Sequence, residues 1–422
     1  MIRANRNSGI LSAMQHPRIW ATWNFSKSGL RMFCCRVPFR PPIHIQWAPQ
    51  RQILRGERLF AVSLGEPPSC GTALKIVPES PFAGEWPDLN HWRQAPIDEK
   101  RGWGNTGPSD NIPPPPCSEE FLPDLQSLPG SLAECGALVL NTGDPMRKAA
   151  ISHMAWTAVR QGRLVSIGTA GAPPRPARPP KPELVPMPKV PKIADSPLPK
   201  SVYMLHNLAH IELNAIDLAW DTLVRFSHLG LEDSFYTDFA HVADDESRHF
   251  GWCVQRLSEL GHAYGDMAAH DMLWASATQS TCDLSSRLAL VPMSQEARGL
   301  DAGPRLCQRL QGGGDARSAG IVGRIAQEEK AHVGVGVSWF LRVSHMLDLQ
   351  PDEVYKGWLE HISPELLKGP FNHGSRNEVG FRREWYDKGM WREGRMGLSE
   401  LQQLSTRLKE VLDVEIENSE CE

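Results

Sequence analysis

The chain has 422 residues, a net charge of −4 and a pI of about 6.4. That length accommodates two or three domains, and the charge carries no global signature of nucleic-acid or other polyanion binding. No apolar run reaches the roughly 18–20 residues of a membrane span, and nine cysteines without a Cys-x-x-Cys pair point to free thiols in a reducing compartment rather than a disulfide framework.

The first 56 residues hold nine Arg or Lys and no Asp or Glu. This bias resembles that of a transit peptide, so a mitochondrial or other organelle matrix is the expected location; the alternatives are a disordered tail or a wrongly chosen start codon on a cytoplasmic protein. Residues 57–128 are rich in Pro, Gly and Trp, with four consecutive prolines at 113–116, and predict loops and partial order. Residues 129–172 predict a helical hairpin, its second helix starting at Asp144-Pro145 with proline in the first turn. Eleven prolines between 173 and 199 make the stretch 173–200 an extended linker.

From 201 to 347 the pattern is helical. Segment 201–228 places Leu205, Leu208, Ala215, Ile216, Ala219 and Leu223 on one stripe with Glu212. Gly230 breaks it, and 232–260 resumes with Phe239, Val242, Phe250, Cys253 and Leu257 beside Glu246. So short a connection makes the two helices antiparallel neighbours. Glu212 lies 18 residues before Gly230 and Glu246 lies 16 after it, so both sit at nearly the same height at about 1.5 Å per residue. The second hairpin repeats this. A helix over 285–311 is broken at Gly312-Gly313-Gly314, Asp315 caps the next helix at 316–347, and Glu296 and Glu329 lie 17 and 16 residues either side of Gly313. Pro292 falls four residues before Glu296 and is expected to kink or delay that helix.

Two Glu-x-x-His pairs result: Glu246/His249, matched to Glu212, and Glu329/His332, matched to Glu296. With 28 Glu and 15 His in the chain, chance supplies roughly one such pair. A third, Glu259/His262, contains Gly261 where the helical pattern stops and reads as a helix end. A three-residue step turns a helix about 300°, so Glu and His of each pair face one way. Four carboxylates and two imidazoles on four helices are the ligand set of a dinuclear iron or manganese site. Without metal, burying four carboxylates is very costly; two divalent cations neutralise them. Oxygen and imidazole donors without thiolate suit iron and manganese alike and argue against structural zinc.

His206 and His210, close to Glu212, and Arg298 and Asp301, close to Glu296, are candidates to orient ligands; core or surface histidines, and a surface Arg–Asp pair, are the alternatives. Trp220 and Trp339 are expected to pack the bundle. Gly299 and Gly303 allow either close helix approach or substrate access. Residues 262–283 are long enough for a crossover with a short helix near Met267–Ala277, and 348–422 predict a C-terminal helical extension with helices near 351–360 and 398–416. The fold class expected is all-α: a four-helix bundle with one long crossover and extra helices at both ends.

The stretches HNLAHIELNAIDLAWD, FYTDFAHVADDESRHF, RLALVPMSQEARGLDAGPRL and EEKAHVGVGVSWF resemble the ferritin-like family catalogued as domain of unknown function 455, from about Leu132 to Phe381. The resemblance implies a ferritin-like di-metal fold. By analogy with bacterioferritin-type sites, Glu246 and Glu329 would bridge the metals, Glu212 and His249 would complete one, and Glu296 and His332 the other. The preferred reading is an oxidoreductase that activates O₂, as co-substrate, on an unknown small organic substrate. The alternatives are a ferroxidase or iron-handling protein, and a metal-stabilised scaffold or binding module. About 200 residues before the bundle and about 75 after it would crowd a storage shell, which favours the enzyme. No G-x-G-x-x-G fingerprint follows a strand, so a separate reductase partner is expected. A ribonucleotide-reductase role would need a radical Tyr, but Tyr236 lies ten residues, almost three turns, before Glu246.

Overall fold

The computed structural model describes residues 73–78, 84–115, 128–392 and 394–420, all within the unit Thr72–Glu422. The basic leader 1–56 and much of the stretch 57–128 lie outside the described residues. The described fold is all-α apart from one two-residue antiparallel ribbon, β1 (Gly102–Trp103) with β2 (Pro108–Ser109).

Before the first long hairpin come α1 (Leu89–Gln94), α2 (Leu132–Asn141) and α3 (Pro145–Arg160). Asp144 accepts the Arg147 amide and Pro145 opens α3, as its dipeptide predicts. The hairpin itself is α4 (Lys200–Arg225) and α5 (Asp233–Glu259). Leu205, Ala209, Leu213, Ile216, Trp220 and Leu223 are buried at steps of three and four along α4, which is why this segment is helical and which face it hides. A 3₁₀ turn, Ser227–Leu229, ends at Gly230 with φ 65°, a left-handed conformation suited to glycine. Tyr236 spends its hydroxyl there, donating to Phe226 O and accepting from the Leu231 amide, both at 3.2 Å.

Helices α2 and α3 cover this hairpin. A Cβ at Gly136 would lie 2.6 Å from the Trp220 ring, so glycine sets the approach of α2 to α4. Trp220 donates to Ser152 Oγ at 2.8 Å, and removing this buried indole would cost about 3–5 kcal/mol. Lys148 and Asp217, both fully buried, pair at 2.5 Å, and Arg178 from the proline-rich stretch reaches Asp217 at 2.8 Å. That stretch lies extended against the molecule. Its Val185 amide bonds Ala269 O at 2.8 Å and Glu183 O accepts the Ala269 amide at 3.0 Å, tying it to the crossover that carries α6 (Met272–Ala277).

The second hairpin departs from a plain helix pair. Helix α7 (Leu284–Leu290) runs into a π turn, Val291–Gln295, then α8 (Ala297–Gly312); α9 (Ala316–Met346) returns. Pro292 has no N–H for an ordinary helical bond. The turn widens, and the Glu296 amide reaches Val291 O, five residues back, at 3.2 Å. The expected delay at Pro292 is therefore one π turn, inserted directly before Glu296. Opposite it, a Cβ at Gly336 would lie 2.7 Å from Pro292 Cβ. Pro304 interrupts α8 as well, and the Leu300 carbonyl it leaves free accepts Asn372 Nδ2 at 3.2 Å. Asp315 caps α9 by accepting the Ser318 amide at 3.0 Å, the role its position predicts.

Past α9 the chain adds α10 (Pro351–Ile362), α11 (His373–Glu378), α12 (Arg383–Tyr386), α13 (Leu398–Leu401) and α14 (Leu404–Glu420). Helices α11 and α12 fall in a stretch too polar to be expected as helix. Trp339 packs as expected, buried and donating to Asp238 at 2.7 Å. Among the described residues no helix is long and apolar enough to cross a membrane.

Candidate metal centre

Each of the four long helical stretches brings one carboxylate to a common point. Glu212 comes from α4, Glu246 and His249 from α5, Glu296 from the junction of the π turn with α8, and Glu329 and His332 from α9. Two groups form. Glu212, Glu246, His249 and Glu329 can each place a donor atom within 4.8 Å of the others, and so can Glu246, Glu296, Glu329 and His332. Glu246 and Glu329 belong to both. All six sequence-selected residues are thus brought together, and Glu259/His262 is elsewhere: Glu259 pairs with Arg317 and Arg256, His262 with Asp266.

Both imidazoles turn Nδ1 inward. His249 Nδ1 lies 3.4 Å from Glu212 and from Glu246, and His332 Nδ1 lies 2.7 Å from Glu246 and 3.4 Å from Glu329. Yet both Glu246 oxygens, Glu329 Oε2 and both Nδ1 atoms are buried without a hydrogen-bond partner. Their lone pairs converge without facing one another in hydrogen-bond geometry. Buried polar atoms are rarely left so, and converging acceptors of this kind fit cations. The electrostatics agree. Burial, then the charge of Glu246, raises Glu212 well above the ordinary carboxylate range. Burial followed by Glu329 and Glu246 does the same to Glu296, and burial with Glu246 raises Glu329. Glu246 is held low, because against burial the adjacent His332 and His249 favour its anion. Without cations the cluster is short of positive charge, and the donor set of four carboxylates and two imidazoles fits two divalent ions.

Behind the ligands stands a ring of residues that sequence reasoning did not select. His249 Nε2 donates to Glu328 at 2.8 Å, and His332 Nε2 faces Asp245 at 3.4 Å. The arrangement is crossed: the acid preceding each Glu-x-x-His serves the histidine of the other helix. Arg248 joins the two acids, donating to Asp245 at 2.7 Å and to Glu328 at 2.8 Å. Such partners fix the ring orientation and raise ligand basicity. The signal was present as an acid directly before Glu246 and before Glu329.

The residues expected to orient ligands do other work. His206 accepts the Gly265 amide at 2.9 Å; His210 bonds the Tyr264 hydroxyl at 2.7 Å and His270 O at 2.9 Å. Both hold the crossover, and burial pushes each down to about 4. Asp301 forms a buried pair with Arg376 at 2.6 Å, and Arg298 donates to the carbonyls of Glu365, Leu366 and Lys368, so both anchor the C-terminal extension. The physical reason is helical phase: two residues turn about 200° and five about 140°, so His210, Arg298 and Asp301 leave the ligand face. Gly299 and Gly303 serve close approach, since Cβ atoms there would lie 3.2 Å from Glu329 Cγ and 2.6 Å from Ala326 Cβ.

Beside Glu296 and His332 lies a cavity of about 10 Å³ walled by Ala219, Phe239, Val242, Val291 and Pro292, close to the volume that admits one water-sized molecule. Glu296, facing it, is the one partly exposed carboxylate of the four in the cluster.

The sequence model of the family described as "Protein of unknown function (DUF455)" matches residues 141–387. A protein of Haemophilus influenzae described as uncharacterized is 35% identical over 188 residues, which cover 43% of this chain and 65% of that protein, less than two thirds of its length. No solved structure matches. A family match across more than half the chain, containing all six cluster residues, means that this chain belongs to the DUF455 family.

Proposed function

We propose that the chain is a ferritin-like di-iron, or mixed manganese–iron, carboxylate oxidoreductase that uses O₂ on a small organic substrate. The observation that carries the reading is the buried set of partnerless donor atoms on Glu246, Glu329, His249 and His332, drawn from two groups that share two carboxylates. Glu212 and His249 would hold one ion, Glu296 and His332 the other, with Glu246 and Glu329 between them. When bound, the metal pair supplies redox equivalents for O₂ activation at neutral pH.

The remaining roles belong to the chain. Asp245 and Glu328 keep the Nε2 proton on His332 and His249, so that Nδ1 is the free donor. The apolar walls of Ala219, Phe239, Val242 and Val291 limit bulk water on the Glu296 side and leave space there for one water-sized molecule, the size of O₂. Glu296 receives no side-chain hydrogen bond or ion pair among the described residues, so its carboxylate is free to change its binding mode as charge at the site changes. Turnover needs electrons from outside, which we assign to a separate reductase.

The test is anaerobic Fe(II) loading, elemental analysis for about two metals per chain, and an O₂ pulse followed by stopped-flow absorbance. An O₂-dependent change with two irons bound is expected; its absence leaves a structural metal site. A 12-mer or 24-mer cage with an iron core in size-exclusion chromatography would replace the enzyme by a ferroxidase or store.

A further inference from the structure

Residues 84–115 precede the family match, yet they lie along α5 and α9 behind the two imidazoles. Arg93, fully buried, grips Asp238 with two nitrogens at 2.8 and 3.0 Å. Trp103 exchanges backbone bonds with the Gln255 side chain at 2.8 and 2.9 Å. From Trp92, directly before the first anchor, and Asp98, between the two, the strap sends two groups inward. Trp92 Nε1 donates to Asp245 Oδ2 at 2.9 Å, the oxygen that faces His332 Nε2. Asp98 accepts Arg248 at 2.7 Å, the guanidinium whose other nitrogen holds Asp245 and Glu328. The Trp92 ring is itself fixed, stacked on His241 at 3.8 Å, and His241 stacks in turn on Trp156 at 4.5 Å.

We propose that Trp92 and Asp98 are positioning residues of the metal centre, supplied by a strap that the family match does not include. The inference rests on the metal reading above. Trp92 sets which direction Asp245 presents to His332. Asp98 holds Arg248 so that one guanidinium nitrogen can serve both acids, and therefore both imidazoles. Losing either lets the acids rotate, and the histidines lose the bonds that fix their rings. Changes to such outer partners typically weaken metal binding roughly 10–100-fold.

The test uses the full chain loaded with Co(II), whose visible bands report ligand geometry, and follows release to a chelator. Trp92→Phe, which keeps the ring stack but loses the N–H, and Asp98→Asn should each release cobalt about 10-fold faster with shifted bands. Asp98→Glu should restore much of the wild-type rate. Glu85→Ala provides the control: it removes a strap contact with Ser338 at 2.6 Å, so it should lower the melting temperature of the metal-free protein and leave release unchanged. Wild-type bands and release in both Trp92→Phe and Asp98→Asn, with two cobalt ions bound, would overturn this inference alone. Equal acceleration by Glu85→Ala would reduce the strap to packing and overturn it as well. A wild-type chain that binds no Co(II), Fe(II) or Mn(II) would remove the metal reading and this inference together. Should Trp92→Phe fail to fold, the half-exposed Asp98 still decides the question.

Discussion

The two hairpins carry matching sets of carboxylate and imidazole on unlike scaffolds. In the first, α4 and α5 are unbroken, their turn is locked by Gly230 and Tyr236, and Glu212 is buried with His249 Nδ1 at 3.4 Å. In the second, a π turn interrupts the helix directly before Glu296, which faces a cavity and is partly exposed. One half of the cluster holds its carboxylate still, and the other leaves its carboxylate room. π turns recur at functional sites because the extra residue re-aims the side chains of the next turn. Here it re-aims a carboxylate beside a cavity wall that contains Pro292.

The sharpest way to break this comparison is to remove ligands one at a time and count metal. Glu246→Ala and Glu329→Ala each take a carboxylate from both groups and should lose most of the metal. Glu212→Ala and Glu296→Ala each touch one group and should lose about one of the two ions. Elemental analysis after loading separates the outcomes; equal losses from all four variants would show that the two halves are not distinct sites.

A smaller perturbation tests the scaffold alone. Gly336→Ala places a methyl 2.7 Å from Pro292 Cβ, so the π turn must shift, and overpacking of this kind costs about 1–3 kcal/mol. The effect should fall on the Glu296 side: one ion lost or weakened, the other retained, with a lower denaturation midpoint. Uniform loss of both ions would show that the π turn is not local to one half.

The metal-free protein should also resent its own ligands, and pH exposes this. Burial and Glu246 raise Glu212; burial, Glu329 and Glu246 raise Glu296. For a carboxyl whose folded pKa is raised, the native state binds more protons than the unfolded one above about pH 4.3. Its stabilising contribution is present below that pH and is lost as pH rises toward the folded value. In metal-free protein their contribution should therefore be lost as pH climbs from about 4 toward neutral, so Glu212→Gln or Glu296→Gln should gain stability over wild type across that range in urea titrations. Loaded protein should show the reverse ranking, with wild type the most stable. A metal-free wild type as stable at pH 7 as its Gln variants would mean that the cluster carries no charge conflict.

How much of this could be read in advance divides by the range of the interaction. The convergence of the six residues was legible because helical spacing and turn glycines fix height and phase within one hairpin, and the hairpins repeat. Pro292 was legible as a disturbance, but proline alone does not choose between a kink and a π turn, and its close approach to Gly336 on another helix is not written in the local sequence. Asp245 and Glu328 stood next to Glu246 and Glu329, yet each serves the histidine of the opposite hairpin, which requires knowing how α5 faces α9. Trp92 and Asp98 were beyond reach, since their bonds to Asp245 and Arg248 cross 153 and 150 residues from a stretch with little helical period. His206, His210, Arg298 and Asp301 were ambiguous in the sequence for the opposite reason. They are near Glu212 and Glu296 in sequence, but helical phase turns them away, and the alternative Arg298–Asp301 pair is present at 3.5 Å.

The smallest expected effect concerns the pair that resembles a ligand motif and is not one. Glu259 and His262 straddle the end of α5, where Gly261 takes φ 77°. A left-handed glycine ends the helical phase, so the two side chains no longer share a face and cannot chelate together. Glu259 is instead clamped by Arg317 at 2.6 Å and Arg256 at 3.0 Å near the surface, and the hydrogen bonds from Arg317 hold it down to about 2. Its folded pKa is depressed, so its contribution is present above the unfolded value of about 4.3 and fades as pH falls toward 2. Partly exposed pairs of this kind contribute at most about 1 kcal/mol. Glu259→Ala should therefore lower the denaturation midpoint slightly at pH 7, by still less at pH 3, and leave metal content at the wild-type value. Metal loss in Glu259→Ala comparable to that in Glu246→Ala would mean that the spacing of Glu-x-x-His, rather than the convergence of four helices, is what marks the site.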